Sequence, residues 1–437
     1  EIYTQKQGDK PQKVKIDIIR DDQNTIADLN FSNGATSATV SPDGKQVAFI
    51  VRGEVFVTSA DYNTTKQITH TPAREAGLTF SPDNRTLAYA SERNGNWELY
   101  MAKIARKEEA NFPNATAIEE EVLLPSDKTE RTYPQFSPDG KELAFIEDRN
   151  RLMVLNLETK KVRQVTDGST WFSTGGGFDY SWSPDGKWFT LEFIGNRHDP
   201  YSDIGMVSAQ GGKIINLTNS GYTSGSPRWV LDGNAILFIT ERYGMRAHAS
   251  WGSLNDVMLV FMNQDAYDKF RLSKEDYELQ KELEKEQKNT TETKKNGKKK
   301  GDNKEMGTDA KSLKPISYQA HVKMDLAAER DYMFNHVYKQ EQKRFYNLNM
   351  HGIDWDAMTK AYRKFLPHID NNYDFAELLS EYLGELNVSH TGGRFRPQLK
   401  GDATATLGLL YDWNHNGKGL LISEVVEKGP FDHARSK

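Results

Sequence analysis

The residues with the clearest chemical potential lie in the segment Glu385-Leu-Asn-Val-Ser-His-Thr-Gly-Gly393. Ser389 and His390 are adjacent there, in a loop flanked by Gly392 and Gly393 and placed directly after an amphipathic helical pattern. An imidazole beyond a helix end is free of helix packing and can turn toward a neighbouring nucleophile. The two glycines let a second backbone or a peptide come close. The plainer alternative is a helix C-terminus followed by a turn that carries an ordinary surface histidine. Local sequence leaves both open.

Three helical patterns lead to this loop. The first spans about Lys323 to Phe345 and carries Leu326, Met333, Val337 and Tyr338. The second has Asp354 as N-cap, aligns Trp355, Met358, Tyr362, Phe365 and Leu366, and stops at Pro367. The third opens with Asp374 and Glu377 as a capping-box variant. Its Phe375, Leu378, Leu379, Tyr382, Leu383 and Leu386 form a stripe at helical spacing, which is core packing rather than a ligand box. Beyond Arg396 the pattern returns to β: Thr406–Leu410 and Gly419–Val426 flank a turn at Asn414–Gly417, and Gly429-Pro430 introduces a short helix. This resembles the first half of a PDZ module, a fold that captures peptide ends by strand addition.

The first half of the chain is organised by a repeated turn. Ser-Pro-Asp-Gly starts at Ser41, Ser137 and Ser183, with Ser-Pro-Asp-Asn at Ser81 and a worn Val-Leu-Asp-Gly at Val230. Pro second and Gly fourth suit a type I turn. An apolar or aromatic residue precedes each turn (Val40, Phe80, Phe136, Trp182 and Trp229), and a β-rich run follows each: Val47–Val51, Leu87–Ala90, Leu143–Ile146, Trp188–Leu191 and Ala235–Ile239. Further strands close each unit, among them Glu54–Thr58, Glu98–Met101 and Lys161–Val165. Four short strands per repeat of 40 to 56 residues is the signature of β-propeller blades. Asp256–Phe261 reads as a strand after the fifth turn, and Glu1–Tyr3 and Lys13–Ile16 as outer strands of an earlier blade. The expected fold is mainly β with an α-helical part: an incomplete β-propeller of six-bladed type over 1–262, a polar helix and linker over 263–313, a helical domain over 314–398, and a truncated PDZ-like module over 399–437.

Composition narrows the function classes. A net charge of −5 and a pI near 6.1 argue against a general nucleic-acid binder. Without cysteine there are no disulfides, thiol nucleophiles or thiolate metal sites. The ten histidines include no His-Glu-x-x-His and no i, i+4 pair, so no metal or cofactor is expected. No apolar run has transmembrane length, so no membrane partner is expected either. Lys281 to Lys311 holds ten lysines and almost nothing apolar, which predicts a mobile linker. His248 reads as a structural histidine, and Gly175–Gly177 as an inter-strand turn rather than a phosphate loop.

In order, these pieces resemble the tricorn protease family, and its bacterial homologues in particular. The resemblance covers most of the chain. It is carried by Phe136-Ser-Pro-Asp-Gly-Lys-Glu-Leu-Ala-Phe145, Tyr243–Gly252, Asp265–Lys274, Asn349-Met-His-Gly-Ile-Asp-Trp355 and Gly384-Glu-Leu-Asn-Val-Ser-His-Thr-Gly392. It implies a serine peptidase acting on oligopeptides, in which His390 is the general base and Ser389 links it to an orienting carboxylate. In that family the nucleophilic serine, the orienting glutamate and most of the oxyanion hole belong to an α/β domain after the PDZ module, which has no counterpart before Lys437. A lysine-rich spacer also stands where members of the family carry a second propeller. The resulting expectation is a fragment that is inactive alone, from a peptidase that is homo-oligomeric at full length. Its implied compartment is the cytoplasm, with the periplasm as the alternative.

Two other readings compete. A non-catalytic propeller and PDZ scaffold that binds peptides has no need of a Ser-His pair. A prolyl-oligopeptidase-like enzyme requires a Gly-x-Ser-x-Gly elbow, which this sequence lacks.

Overall fold

Each Ser-Pro-Asp-Gly segment ties itself into the same turn through its own side chains. Ser41 Oγ donates to Asp43 Oδ1 at 2.6 Å and accepts the Gln46 N–H at 3.0 Å, while Asp43 Oδ1 also takes the Lys45 N–H at 3.1 Å. The same three bonds recur at Ser137, Asp139, Lys141 and Glu142, and at Ser183, Asp185, Lys187 and Trp188. They recur again at Ser81, Asp83, Arg85 and Thr86. Gly44, Gly140 and Gly186 close the turns at φ near +70° (73°, 71° and 69°), and Asn84 takes the same conformation at +61°. The fifth copy lacks the serine and the proline. Leu231 and Asp232 there adopt φ of +52° and +54° within a short 3-10 turn.

The computed structural model describes residues 3–6, 8–14, 25–171, 176–195, 201–244, 254–292, 315–397 and 407–432. Every turn joins the first two strands of an antiparallel meander. The first meander is Ser37–Val40, Gln46–Val51, Glu54–Ser59 and Thr65–Gln67, and the second is Glu75–Phe80, Thr86–Ser91, Glu98–Ile104 and Ile118–Val122. Arg131–Phe136, Glu142–Glu147, Arg151–Asn156 and Val162–Gln164 form the third. Tyr180–Trp182, Trp188–Phe193, Asp203–Ser208 and Ile215–Asn216 form the fourth. The fifth shows three strands among the described residues, Ser224–Val230, Ala235–Thr240 and Asp256–Phe261. All five runs that follow the turns are thus strands, and their apolar residues supply the core between meanders.

Neighbouring meanders repeat one set of contacts, which is what a propeller requires. A Cβ on Gly140 would meet the Pro82 ring at 3.2 Å, and one on Gly233 would meet Pro184 at 3.3 Å, so each turn rests on the one before it. Trp182 Nε1 donates to Gln135 O and Trp229 Nε1 to Ser181 O, both at 3.3 Å and at matching positions. A further repeated device was not read in the sequence. Thr69, Thr166 and Thr218, each just past the outer strand, accept the N–H of Val55, Leu152 and Ile204 at 2.8, 2.9 and 3.0 Å.

Helix α1 (Gln264–Phe270) follows the fifth meander, and its Tyr267 and Phe270 rings pack on Phe261. Helix α2 (Lys274–Glu292) extends into the stretch from Lys281 that was expected to be mobile, because Glu, Lys, Gln and Leu are good helix formers and no Gly or Pro intervenes before Gly297. The remainder of the expected mobile linker lies outside the described residues.

The helix expected from Lys323 begins later, because Ala320–Asp325 is a strand paired antiparallel with Ile26–Phe31. Its Ala320, Val322 and Met324 alternate inward and join Phe49, Val51 and Phe56 of the first meander in one cluster. Helix α3 (Leu326–Arg344) then starts from Asp325, whose carboxylate accepts the N–H groups of Ala327 and Ala328. One polar face of α3 docks on the meander loops. Arg52 forks onto Glu329 at 3.0 and 2.8 Å, Tyr332 and His336 reach Glu92, Lys339 Nζ donates to Gly95 O at 2.7 Å, and Lys343 to Glu130 at 2.7 Å. Helix α4 (Trp355–Arg363) is capped by Asp354 as expected, and its buried Trp355 donates to Tyr338 O at 3.2 Å. By packing, the chain divides into 1–370 and 371–437. The segment 314–398 is therefore shared between the two units, because its strand pairing and the α3 contacts tie 320–344 to the sheets.

Candidate active site

The second unit begins with α5 (Asn372–Gly384). Its cap is Asn371 rather than Asp374: Asn371 Oδ1 accepts the N–H groups of Tyr373 and Asp374 at 2.9 Å each, and Asn371 Nδ2 donates to the Asp374 carboxylate. Phe375, Leu378, Tyr382, Leu383 and Leu386 are buried, as their spacing predicts. The helix unwinds by a 3-10 step, with Asn387 N–H donating to Gly384 O at 3.0 Å, and Asn387 turns the chain out at φ +50°.

That turn presents the predicted pair to solvent. Ser389 and His390 are both exposed, and His390 Nδ1 lies 3.1 Å from Ser389 Oγ. His390 sits at φ +66°, a conformation that a histidine holds only when its surroundings impose it. Those surroundings are visible. Thr391 Oγ donates to Val388 O at 3.1 Å inside the loop. Ser380 Oγ on α5 accepts the Gly393 N–H at 3.0 Å and donates to Gly393 O at 2.9 Å. A Cβ on Gly393 would lie 2.9 Å from both Ala376 O and Leu379 Cβ. The glycine pair thus has a nearer partner than an incoming peptide, because Gly393 lies flat on α5 itself.

The loop backbone is consequently held at both ends. With Nδ1 beside a hydroxyl, Nε2 is the nitrogen left to take or give a proton. Among the described residues the ring has no other hydrogen bond, so neither a carboxylate nor a second hydroxyl completes a triad here. Ser380 escaped the sequence reading. Its signal is the pair of small residues Ala376 and Ser380, one turn apart, which leaves α5 a shallow track for a glycine backbone.

Buried carboxylates with perturbed pKa values lie in the other unit. Glu75 is fully buried, and burial followed by the neighbouring Glu54 carboxylate pushes its pKa up to about 8. Burial also raises Glu54 against the hydrogen bonds from Thr69 and Thr71. Glu92 behaves oppositely: burial opposes its charge, but His336 and Tyr332 outweigh it and hold the carboxyl below its ordinary range. His248 and Gly175 lie outside the described residues, while Gly177 stacks close to the Tyr133 ring.

A sequence model described as the tricorn protease C1 domain matches residues 326–384, the stretch from α3 to the end of α5. Tricorn protease homolog 2 of Streptomyces coelicolor is 39% identical over 67 residues, covering 15% of this chain and 6% of that protein. The crystal structure of the tricorn protease superposes with a TM-score of 0.59 at 13% identity, covering 93% of this chain and 48% of that one. This chain is similar to the tricorn proteases in its C1 stretch and in its fold. The uncharacterized peptidase YuxL of Bacillus subtilis is also similar, 33% identical over 115 residues, or 24% of this chain and 16% of that protein. The chain matches well under half the length of each of these curated relatives.

Proposed function

We propose that this chain is the propeller and base-bearing part of a tricorn-like serine peptidase that degrades oligopeptides. The observation that carries the reading is the exposed His390 ring on a clamped loop, with Nδ1 at 3.1 Å from Ser389 Oγ. In this reading the Ser389 hydroxyl accepts the Nδ1–H hydrogen bond and donates its own hydrogen bond to a carboxylate, which orients the ring with the Nε2 lone pair aimed outward as general base. The nucleophilic serine and the carboxylate come from outside the described residues, and they meet His390 on its solvent face. Residues 407–432, with the antiparallel pair Leu409–Tyr411 and Ile422–Val425, are read as the first half of a PDZ module that binds peptide ends. The ladder Ile26–Phe31 with Ala320–Asp325 is read as part of a sixth blade.

The test uses short fluorogenic peptides. The 437-residue chain alone is expected to show no turnover. In a full-length protein that hydrolyses them, His390→Ala is expected to lower kcat by about 10⁴-fold or more with the fold intact, and Ser389→Ala by less. Wild-type rates in His390→Ala would make the loop a plain turn and favour the peptide-binding scaffold.

A further inference from the structure

Most arginines around the α3 docking face are matched to acids. Arg52 pairs with Glu329 at 2.8 Å, Arg93 with Glu120 at 2.5 Å, Arg131 with Asp127 at 2.7 Å and Arg151 with Asp148 at 2.6 Å. Arg74, Arg149 and Arg344 differ. None of them has a carboxylate partner among the described residues, and all three line one cavity of about 230 Å³ beneath α3. Among the described residues the acid on its wall is Glu130, which is already engaged by Lys343 at 2.7 Å.

The remaining wall is ordered and polar. Arg74 lies over the Trp97 ring at 6.0 Å. His336 is fixed through Nδ1 by the buried Glu92 at 2.6 Å, and Glu92 also holds the Tyr332 hydroxyl at 2.8 Å. Three arginines without acids of their own make the hollow they line electropositive, and that potential favours an anion within it. Each guanidinium offers a planar fork that matches two oxygens of one anionic group. The volume falls below the range of drug-sized sites, so a ligand that fits is small.

We propose that this cavity is a binding site for a small oxyanion carrying at least two charged oxygens, from a phosphate or a dicarboxylate. The proposal is independent of the peptidase reading, since every residue in it belongs to the first unit.

The experiment titrates inorganic phosphate and, separately, succinate into the 437-residue chain by calorimetry at low salt. Saturable binding of at least one is expected, weakened about tenfold or more in the double variant R149Q/R344Q. Neither arginine makes an ion pair among the described residues, so that variant should keep its fold, which its melting transition checks. Arg74→Lys keeps the charge but loses the fork, and should bind with intermediate affinity. Binding of phosphate alone assigns a phosphorylated ligand, and binding of succinate alone assigns a dicarboxylate. Absence of saturable binding for both anions, or equal affinity in the folded double variant, overturns the proposal.

Discussion

Glu75 has one carboxylate oxygen held by Ser91 at 2.9 Å and Thr71 at 3.0 Å, and a second oxygen without a partner among the described residues. Its folded pKa of about 8 stands above an ordinary value of 4.5, so the folded chain binds a proton there that the unfolded chain releases. The stability associated with that proton is complete below pH 4.5 and is lost as pH rises through about 8. Glu75→Gln, which cannot ionise, should therefore flatten the fall in stability across this window and raise the melting temperature at its alkaline end. Denaturant titrations of both proteins at several pH values check it; identical slopes would mean that Glu75 ionises freely. Neither Glu75 nor Ser380 was legible from sequence. Glu75 opens a strand in which alternation leaves its direction open, and only the adjacent meander buries it. The Ser389-His390 loop was legible because a strong apolar stripe ends at Leu386 and two glycines follow. Its clamped backbone was not, since positive φ at His390 leaves no mark on composition.

At the scale of elements, the turns were read correctly because they solve their bonding locally. Ser137 illustrates the point: it is buried, and its hydroxyl satisfies the Glu142 N–H at 3.0 Å while donating to Asp139 at 2.7 Å. Ser137→Ala leaves that N–H unpaired and should cost about 1–3 kcal/mol. Ser41→Ala, Ser81→Ala and Ser183→Ala should cost similar amounts, because the accepted bond recurs at 3.0, 3.2 and 2.9 Å. Urea unfolding of the four variants tests this, and widely scattered values would show that the turns are not equivalent. Residues 323–325, the end of strand Ala320–Asp325, were misread as helix for the complementary reason. They run straight into the α3 pattern with no Gly or Pro between, and only the pairing partner Ile26–Phe31, far away in sequence, decides the conformation. The α3 docking stripe of Glu329, Tyr332, His336, Lys339 and Lys343 was passed over because it is polar, and apolar periodicity was the signal sought.

For the first unit as a whole, the pairing of Ile26–Phe31 with Ala320–Asp325 joins segments at the two ends of the sheet region. Val322 is buried there with Phe49 and Phe56. Val322→Asp would set a carboxylate against those rings and should destabilise the unit by about 3 kcal/mol or more. Scanning calorimetry measures it, and an unchanged melting temperature would show that the strand does not seal the first meander. The propeller architecture was legible in advance because the repeat is written five times in the sequence. The division at Asp370 was not, because it depends on which surfaces pack and not on where composition changes.

The same ladder bears on how such a chain could change length over time. Whatever lies between α2 and Ala320 has only to return to the partner strand Ile26–Phe31, since both edges of the clasp are specified by their own residues. Each doubling of the intervening length raises the entropy of closure by only about 0.6 kcal/mol. An added or deleted domain at this point therefore leaves the clasp, the α3 ion pairs and the first meander as they are. This makes the interval a natural site for modular gain and loss.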